Sequence, residues 1–137
     1  RMLQGVVDGD YSPSANTTLG TGVRLRYTYQ FKNEMGGKTG TTQNQSDGYF
    51  MGITPNLVTG VWSGCEDRAA HFRTIRLGQG ANMALPVFAE YMQRVYADTL
   101  ETGIYPIDFD IPQSVDDRLD CGESIQGGNN DEYEEEF

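Results

Sequence analysis

The sequence has 137 residues, enough for one modest domain with its own core, and it carries a net charge of −10. Residues 1–97 hold nine Lys and Arg against seven Asp and Glu, whereas residues 98–137 hold one Arg against thirteen acids. The acidity is therefore C-terminal, and without a basic stripe the chain is not expected to bind nucleic acid. Cys65, Cys121 and the single His71 are too few for a zinc site or disulfide framework. We predict free cysteines, no metal and no cofactor.

The sequence begins at Arg1 and contains neither a basic-then-apolar leader nor an apolar run of about 18 residues. We therefore expect no signal peptide, membrane span or membrane contact in this segment, and we expect it to come from a longer parent protein.

Three patterns describe residues 1–33. Residues 1–8 have the apolar spacing of the last turns of an amphipathic helix. Residues 9–22 are rich in Gly, Ser, Asn and Thr and are predicted to be loop. In residues 23–33, apolar and polar residues alternate, which favours a strand, although a short helix also fits.

Three strands and a helix are predicted next. Gly36 to Thr42 is extended, and residues 49–54 and 57–65 read as strands joined by the tight turn at Pro55-Asn56, which gives an antiparallel meander. A helix is predicted from Pro86, which suits a first helical turn. Its apolar face comprises Leu85, Phe88, Ala89, Met92, Val95 and Tyr96, and we expect it to cover one face of the sheet. Residues 1–106 are assigned to the domain, and residues 107–137 are predicted to be a disordered acidic tail.

Lys38 lies among small residues and invites two chemical interpretations. Gly37-Lys38-Thr39 matches the end of a phosphate-binding loop, but that motif needs a glycine where Lys32 stands and a helix that begins at the lysine. The alternative is the Lys-Thr-Gly motif of penicillin-recognising serine enzymes, which is weak alone because its three residues are common.

The context of the motif is longer than three residues. Lys38-Thr39-Gly40-Thr41-Thr42 is followed by Asp47-Gly48-Tyr49-Phe50-Met51-Gly52, by Thr54-Pro55, and by Leu57-Val58-Thr59-Gly60-Val61-Trp62. Gly80, Ala84-Leu85-Pro86 and the upstream Gly20-Thr21-Gly22 complete the pattern. This succession resembles the C-terminal part of the transpeptidase domain of class A penicillin-binding proteins, the bifunctional 1A type, over roughly residues 1–97.

The resemblance implies an α/β fold, an antiparallel sheet with packed helices as in penicillin-binding proteins and serine β-lactamases. It implies that the parent is a D,D-transpeptidase that cross-links peptidoglycan stem peptides through a serine acyl-enzyme and reacts with β-lactams. The parent is expected at the extracytoplasmic, periplasmic face of the cytoplasmic membrane, anchored through an N-terminal part that also carries a glycosyltransferase domain. A D,D-carboxypeptidase or serine β-lactamase fragment, and a non-catalytic binding fragment, remain alternatives.

Four residues would form the site. Lys38 would place a cation near the D-Ala-D-Ala carboxylate and the reacting hydroxyls, and the Thr39 and Thr41 hydroxyls would donate hydrogen bonds to that carboxylate. Gly40 would let the substrate backbone lie against the strand as an added strand. The resemblance implies that the Thr41 backbone N–H is an oxyanion-hole donor, so that Lys38 and Thr41 act in catalysis.

The nucleophile of such an enzyme is absent from the chain. None of the six serines has a lysine three residues later, so the S-x-x-K motif is missing. Ser14-Ala15-Asn16 matches S-x-N, but the family places that motif much further upstream, and we interpret the match as chance. We therefore expect the chain alone to be inactive and to depend on the remainder of the domain.

Overall fold

A three-stranded antiparallel sheet with one long helix on its face forms the centre of the computed structural model, which describes residues 1–12, 14, 16–113 and 115. In chain order the elements are α1 (Met2–Asp8), β1 (Asp10–Ser12), β2 (Thr17–Leu19), α2 (Arg24–Tyr27), β3 (Gly36–Thr41), β4 (Asp47–Thr54), β5 (Leu57–Gly64), α3 (Ile75–Gly78), α4 (Gly80–Ala97) and α5 (Thr99–Thr102). The mixed α/β class predicted from the sequence is confirmed.

The predicted meander is also confirmed, with strand order β3-β4-β5. Residue pairs across the sheet include Lys38 opposite Met51 and Met51 opposite Gly60, so these three positions share one face. The opposite face carries Phe50, which is fully buried beneath Phe88 of α4 with ring centroids 4.9 Å apart. The alternating pattern of β4 and β5 thus places one face in the core.

The core lies between the sheet, α4 and the N-terminal helices. Its buried residues are Val7, Leu25, Phe31, Met35, Phe50, Ala84, Leu85, Phe88, Ala89 and Met92. The predicted apolar face of the long helix is therefore confirmed, with Tyr96 packed at its margin. Each large side chain in this set contributes roughly 1.5–3 kcal/mol of transfer free energy before entropy is counted.

The loop prediction for residues 9–22 was wrong, because β1 and β2 pair there as a short antiparallel hairpin. Thr17 and Thr18 are β-branched residues that favour extended backbone, and the polar composition of the segment concealed that preference. Gly9 begins the hairpin with a φ of 72°, a left-handed value that suits glycine.

The strand favoured for residues 23–33 was also wrong, since the segment forms α2 and then folds back. Leu25 is fully buried but Tyr27 is 69% exposed, so the alternation of large residues does not mark one buried face. The guanidinium of Arg26 donates to the carbonyl oxygens of Phe31 and Asn33, at 3.0 and 2.6 Å, and these bonds close the fold-back.

The long helix begins earlier than predicted, at Gly80, and Pro86 lies inside it rather than in its first turn. Gly80 sits against the sheet so closely that a Cβ there would lie 2.4 Å from the Gly40 carbonyl oxygen. The Gly80 N–H donates to the Thr41 hydroxyl at 3.0 Å. Docking on β3 therefore sets the start of the helix, and this contact has no local sequence signal. Inside the helix, Pro86 has no N–H to offer the carbonyl of Asn82.

After α5 the chain returns towards the sheet. Residues 104–111 have no regular secondary structure, but Asp108 and Phe109 hydrogen bond to Glu34. The disorder predicted for the rest of the tail and the state of Cys121 fall on residues outside those that the structure describes. Within the described ranges, no helix is both long and apolar enough to cross a membrane.

Candidate functional site

Strand β3 is an outer strand of the sheet, so one of its edges is free of strand partners among the described residues. The Thr42 N–H donates to the Asp47 carbonyl at 3.0 Å, and hydrogen-bonded pairs alternate along an antiparallel ladder. Lys38 and Gly40 therefore direct their backbone groups to β4, whereas Thr39 and Thr41 direct theirs to the free edge. The predicted role of the Thr41 N–H requires this orientation.

Lys38 lies at this free edge and is exposed. Its ammonium donates to the Thr39 carbonyl at 2.9 Å. This carbonyl is available for the bond because it points to the free edge and has no strand partner. Over the part of the chain that the structure describes, Lys38 makes no ion pair. Its positive charge is therefore free to meet an anionic group that approaches the edge.

The two threonines occupy the face opposite to Lys38, and their hydroxyls already have partners. Thr39 donates to the hydroxyl of Thr21 at 3.1 Å, which ties β3 to the turn after the β1–β2 hairpin. Thr41 accepts from the Gly80 N–H and so retains its own hydroxyl hydrogen for donation. The four predicted site residues are thus consecutive on one strand, and the side chains of Lys38, Thr39 and Thr41 flank the free edge from both faces.

The segment that leads into β3 is held by Arg26. Besides the carbonyls of Phe31 and Asn33, its guanidinium pairs with the carboxylate of Asp8 at 2.6 Å. Asp8 ends α1, so a single cation joins that helix, α2 and the chain just before the strand. A guanidinium suits this role because it offers several donors in a fixed planar arrangement.

A cleft of about 1210 Å³ lies beside Lys38. Its walls come from α1, the turn after the hairpin, the start of β3 and the C-terminal segment. The lining residues include Gln4, Asp8, Thr21, Glu34, Lys38, Phe109, Asp110 and Ile111. The walls thus combine two cationic residues, Arg1 and Lys38, with three carboxylates, of which Asp8 and Glu34 are already engaged in bonds.

No serine lines this cleft among the described residues. Ser12 and Ser14, the latter in the S-x-N match, lie in the hairpin and hydrogen bond to each other at 3.1 Å. The cleft thus offers the Lys38 ammonium to an approaching anionic or carbonyl group, whereas Thr39, Gly40 and Thr41 are not among its lining residues.

Sequence reasoning named the strand residues but missed Glu34 and the residues from 109 to 111. Thr21 was within the quoted Gly20-Thr21-Gly22, so its position had a signal although its bond to Thr39 had none. The contacts of Glu34 join residues 74 and 75 positions apart, and a single sequence carries no mark of such pairings.

A second cavity of about 510 Å³ lies at the far end of β5, and Cys65 and His71 are among its lining residues. Cys65 is exposed and has no disulfide partner among the described residues. His71 is exposed, and its Nδ1 lies 3.1 Å from the carbonyl oxygen of Phe72. Within the described ranges, no group of three or more His, Cys, Asp or Glu side chains could hold a metal ion.

Curated proteins named Penicillin-binding protein 1A match the chain. The protein from Rickettsia bellii is 36% identical over 104 residues, which cover 72% of the chain, and that from Escherichia coli K12 is 32% identical over 124 residues, which cover 82%. The protein from Aquifex aeolicus is 38% identical over 77 residues, which cover 56%. The matched regions span 12, 14 and 9% of these three relatives, respectively. No protein-family model matches the chain.

These matches show that the chain is a segment of the class A penicillin-binding protein family. Within that family, the relatives that it matches are of the 1A type.

Proposed function

We propose that the chain is the C-terminal part of a transpeptidase domain in a parent protein that cross-links peptidoglycan. The observation that carries the proposal is the free edge of β3, where the Lys38 ammonium, which makes no ion pair with the described residues, lies beside the outward-directed backbone of Thr39 and Thr41. The names of the relatives support the same class of enzyme. The fold of the parent domain would be that of penicillin-binding proteins and serine β-lactamases, with residues 1–106 in the domain and residues 107–137 as an acidic tail, whose first residues hydrogen bond to Glu34 of the domain.

In this proposal the stem peptide adds to the sheet as an extra strand along β3. Lys38 and Thr41 bind the terminal carboxylate of D-Ala-D-Ala, Thr39 joins them when its hydroxyl turns away from Thr21, and Gly40 leaves room for the peptide backbone. Hydrogen bonds to a charged group of this kind contribute about 1.5–3 kcal/mol each. The Thr41 N–H supports the carbonyl oxygen as it becomes an oxyanion, and loss of such a donor lowers rates by roughly 10²–10³.

The covalent step belongs to a serine outside this chain. Its oxygen forms an ester with the penultimate D-Ala carbonyl as the bond to the terminal D-Ala breaks, and the departing amine takes up a proton. The amine of a second stem peptide then attacks the ester, re-forms an amide and returns a proton to the serine. β-Lactams would form the same ester as their ring amide bond opens.

The partners that follow are the stem peptides, β-lactams and the remainder of the domain, but no nucleic acid. The parent would act at the extracytoplasmic face of the cytoplasmic membrane, held by an N-terminal anchor, without membrane contact by this segment.

Labelling with a fluorescent penicillin tests the proposal. The isolated chain should form no covalent adduct because it lacks the nucleophile, whereas the full-length protein should form one. Lys38→Ala in the full-length protein should lower acylation by roughly 10²-fold or more, because one charged partner of the carboxylate is lost. Lys32→Ala, another exposed lysine, is the matched control and should acylate normally.

Two results would overturn the proposal. Labelling of the isolated chain would contradict its status as a segment without the nucleophile, and normal acylation of Lys38→Ala would contradict the role of the lysine. Release of D-alanine by the full-length protein without any cross-linking would instead favour the D,D-carboxypeptidase alternative.

A further inference from the structure

We propose that residues 104–111, which we call the C-terminal strap, are a functional wall of the Lys38 cleft, and that Glu34 is the positioning residue that holds them there. The inference rests on the proposed function for its link to acylation. The contact between Glu34 and the strap rests on geometry alone.

The strap is joined to Glu34 by two hydrogen bonds that run in opposite directions. The Phe109 N–H donates to a carboxylate oxygen of Glu34 at 3.1 Å. The Glu34 N–H donates to a carboxylate oxygen of Asp108 at 2.7 Å. Each segment thus supplies one backbone donor and one carboxylate acceptor, the reciprocal arrangement that a capping box uses at a helix start. Such a pair fixes both the position and the direction of the strap.

A second attachment holds the other end of the strap. The Asn56 side chain, in the turn between β4 and β5, donates to the carbonyl of Tyr105 at 3.3 Å. Between these two attachments the strap passes from the β4–β5 turn to the segment before β3, and at and beyond the second attachment the Phe109 and Ile111 side chains are half-buried. The strap is therefore held by two different loops of the domain, one that contains Asn56 and one that contains Glu34.

Glu34 connects the strap to the strand that carries Lys38. It lies two residues before β3, and the same carboxylate oxygen that accepts from Phe109 also accepts from the Gln4 side chain of α1 at 3.3 Å. Helix α1 in turn packs at the start of β3, where Leu3 lies against Gly36. One carboxylate therefore joins α1, the strap and the entry to the strand, and charged acceptors make the stronger hydrogen bonds.

The strap contributes directly to the cleft. Phe109, Asp110 and Ile111 line it together with Lys38, so their position sets its width and part of its charge. Asp110 has no hydrogen bond or ion pair to the other described residues, and it lines the same cleft as Lys38 and Arg1. A strap that moved away would open the cleft and remove one of its three carboxylates.

Three variants of the full-length protein test the inference. Glu34→Ala removes the acceptor for Phe109, and Glu34→Gln keeps an oxygen that accepts from the same N–H but lacks the charge. Glu90→Ala, on the exposed side of α4, is the control. Hydrogen exchange of peptides that cover residues 104–111 should become about tenfold faster in Glu34→Ala, because local opening sets exchange. It should be intermediate in Glu34→Gln and unchanged in Glu90→Ala.

Acylation by a fluorescent penicillin provides the functional measurement. We expect Glu34→Ala to lower the second-order acylation constant by about three- to tenfold, mainly through weaker binding before the covalent step, with partial recovery in Glu34→Gln. Asp108→Ala removes the other half of the reciprocal pair while Glu34 stays intact, and it should act in the same direction. This variant also keeps the test valid should Glu34→Ala fold poorly.

Unchanged exchange of the strap in both Glu34→Ala and Asp108→Ala would overturn the inference. Faster exchange with normal acylation would also overturn it, because the strap would then be attached without serving the cleft. If the proposed function is wrong, the Lys38→Ala variant should acylate normally, which is a different result. In that case the exchange measurement still decides whether Glu34 holds the strap.

Discussion

Tyr96 lies where the long helix meets the loop before β3, and its hydroxyl accepts a hydrogen bond from the Asn33 side chain at 3.0 Å. Its ring also contacts Phe31 edge-on, with centroids 6.0 Å apart. Burial raises the pKa of Tyr96 above its ordinary value of 10.0, although hydrogen bonds with Asn33 and Thr54 act in the opposite direction. The folded state therefore prefers the neutral phenol.

A dependence of stability on alkaline pH follows from this raised pKa. Above pH 10 the unfolded chain loses the Tyr96 proton more readily than the folded chain, so the free energy of unfolding should fall as pH rises through the folded pKa. Urea unfolding of the protein between about pH 8 and 11, followed by near-ultraviolet circular dichroism, measures the slope. Tyr96→Phe should reduce it, and Tyr105→Phe, at an exposed position, should not. An equal slope in Tyr96→Phe would contradict the assignment.

For single residues, the sequence was sufficient to name Lys38 as a candidate site residue, but it did not identify the residues that surround it. Lys38, Thr39, Gly40 and Thr41 are adjacent, so a short motif brings them together wherever the strand lies. Glu34 acts through residues more than seventy positions away, and that proximity exists only after the chain has folded. The roles of the four motif residues in catalysis stay predictions.

Among the elements, the three strands of the meander were predictable because alternation, short turns and one buried face agree there. A strand was favoured over the short helix at α2 because the large residues there alternate without sharing a face, and only Leu25 of the helix is fully buried. The start of α4 was missed because it depends on the contact of Gly80 with β3. Local pattern was informative where it coincided with burial, and it failed where a tertiary contact decided the structure.

The packing of α4 on β4 leads to a prediction at Gly52. A Cβ there would lie 2.2 Å from the Phe88 ring, so Gly52→Ala should force the helix or the ring to move and cost roughly 1–3 kcal/mol. Gly60→Ala is the matched control on the neighbouring strand, since its Cβ meets only the flexible Met51 thioether. Urea midpoints of the two variants in the full-length protein test the difference. A similar loss of stability in both variants would show that the clash with Phe88 does not cause the loss in Gly52→Ala.

Over the whole molecule, the two faces of the sheet are covered unequally. The face that carries Phe50 is covered by α4, whereas Tyr49, Met51, Val58 and Trp62 on the other face are 41–62% exposed. Exposed apolar groups of this size, next to the free edge of β3, are features that a domain normally covers. Since the chain spans 9–14% of the three relatives compared above, we expect the remainder of the parent domain to cover this face.

The isolated chain should therefore be only weakly stable and prone to associate through the open face. Its thermal unfolding should be broad and should depend on protein concentration, because association buries the exposed apolar area. Val58→Thr, which keeps a β-branched side chain, should reduce association of the isolated chain but destabilise the full-length protein, where the same position would be covered. Sedimentation velocity and thermal unfolding of both forms measure these opposite effects. A cooperative melt of a monomer that does not depend on concentration would contradict the expectation, since the sheet would then need no further partner.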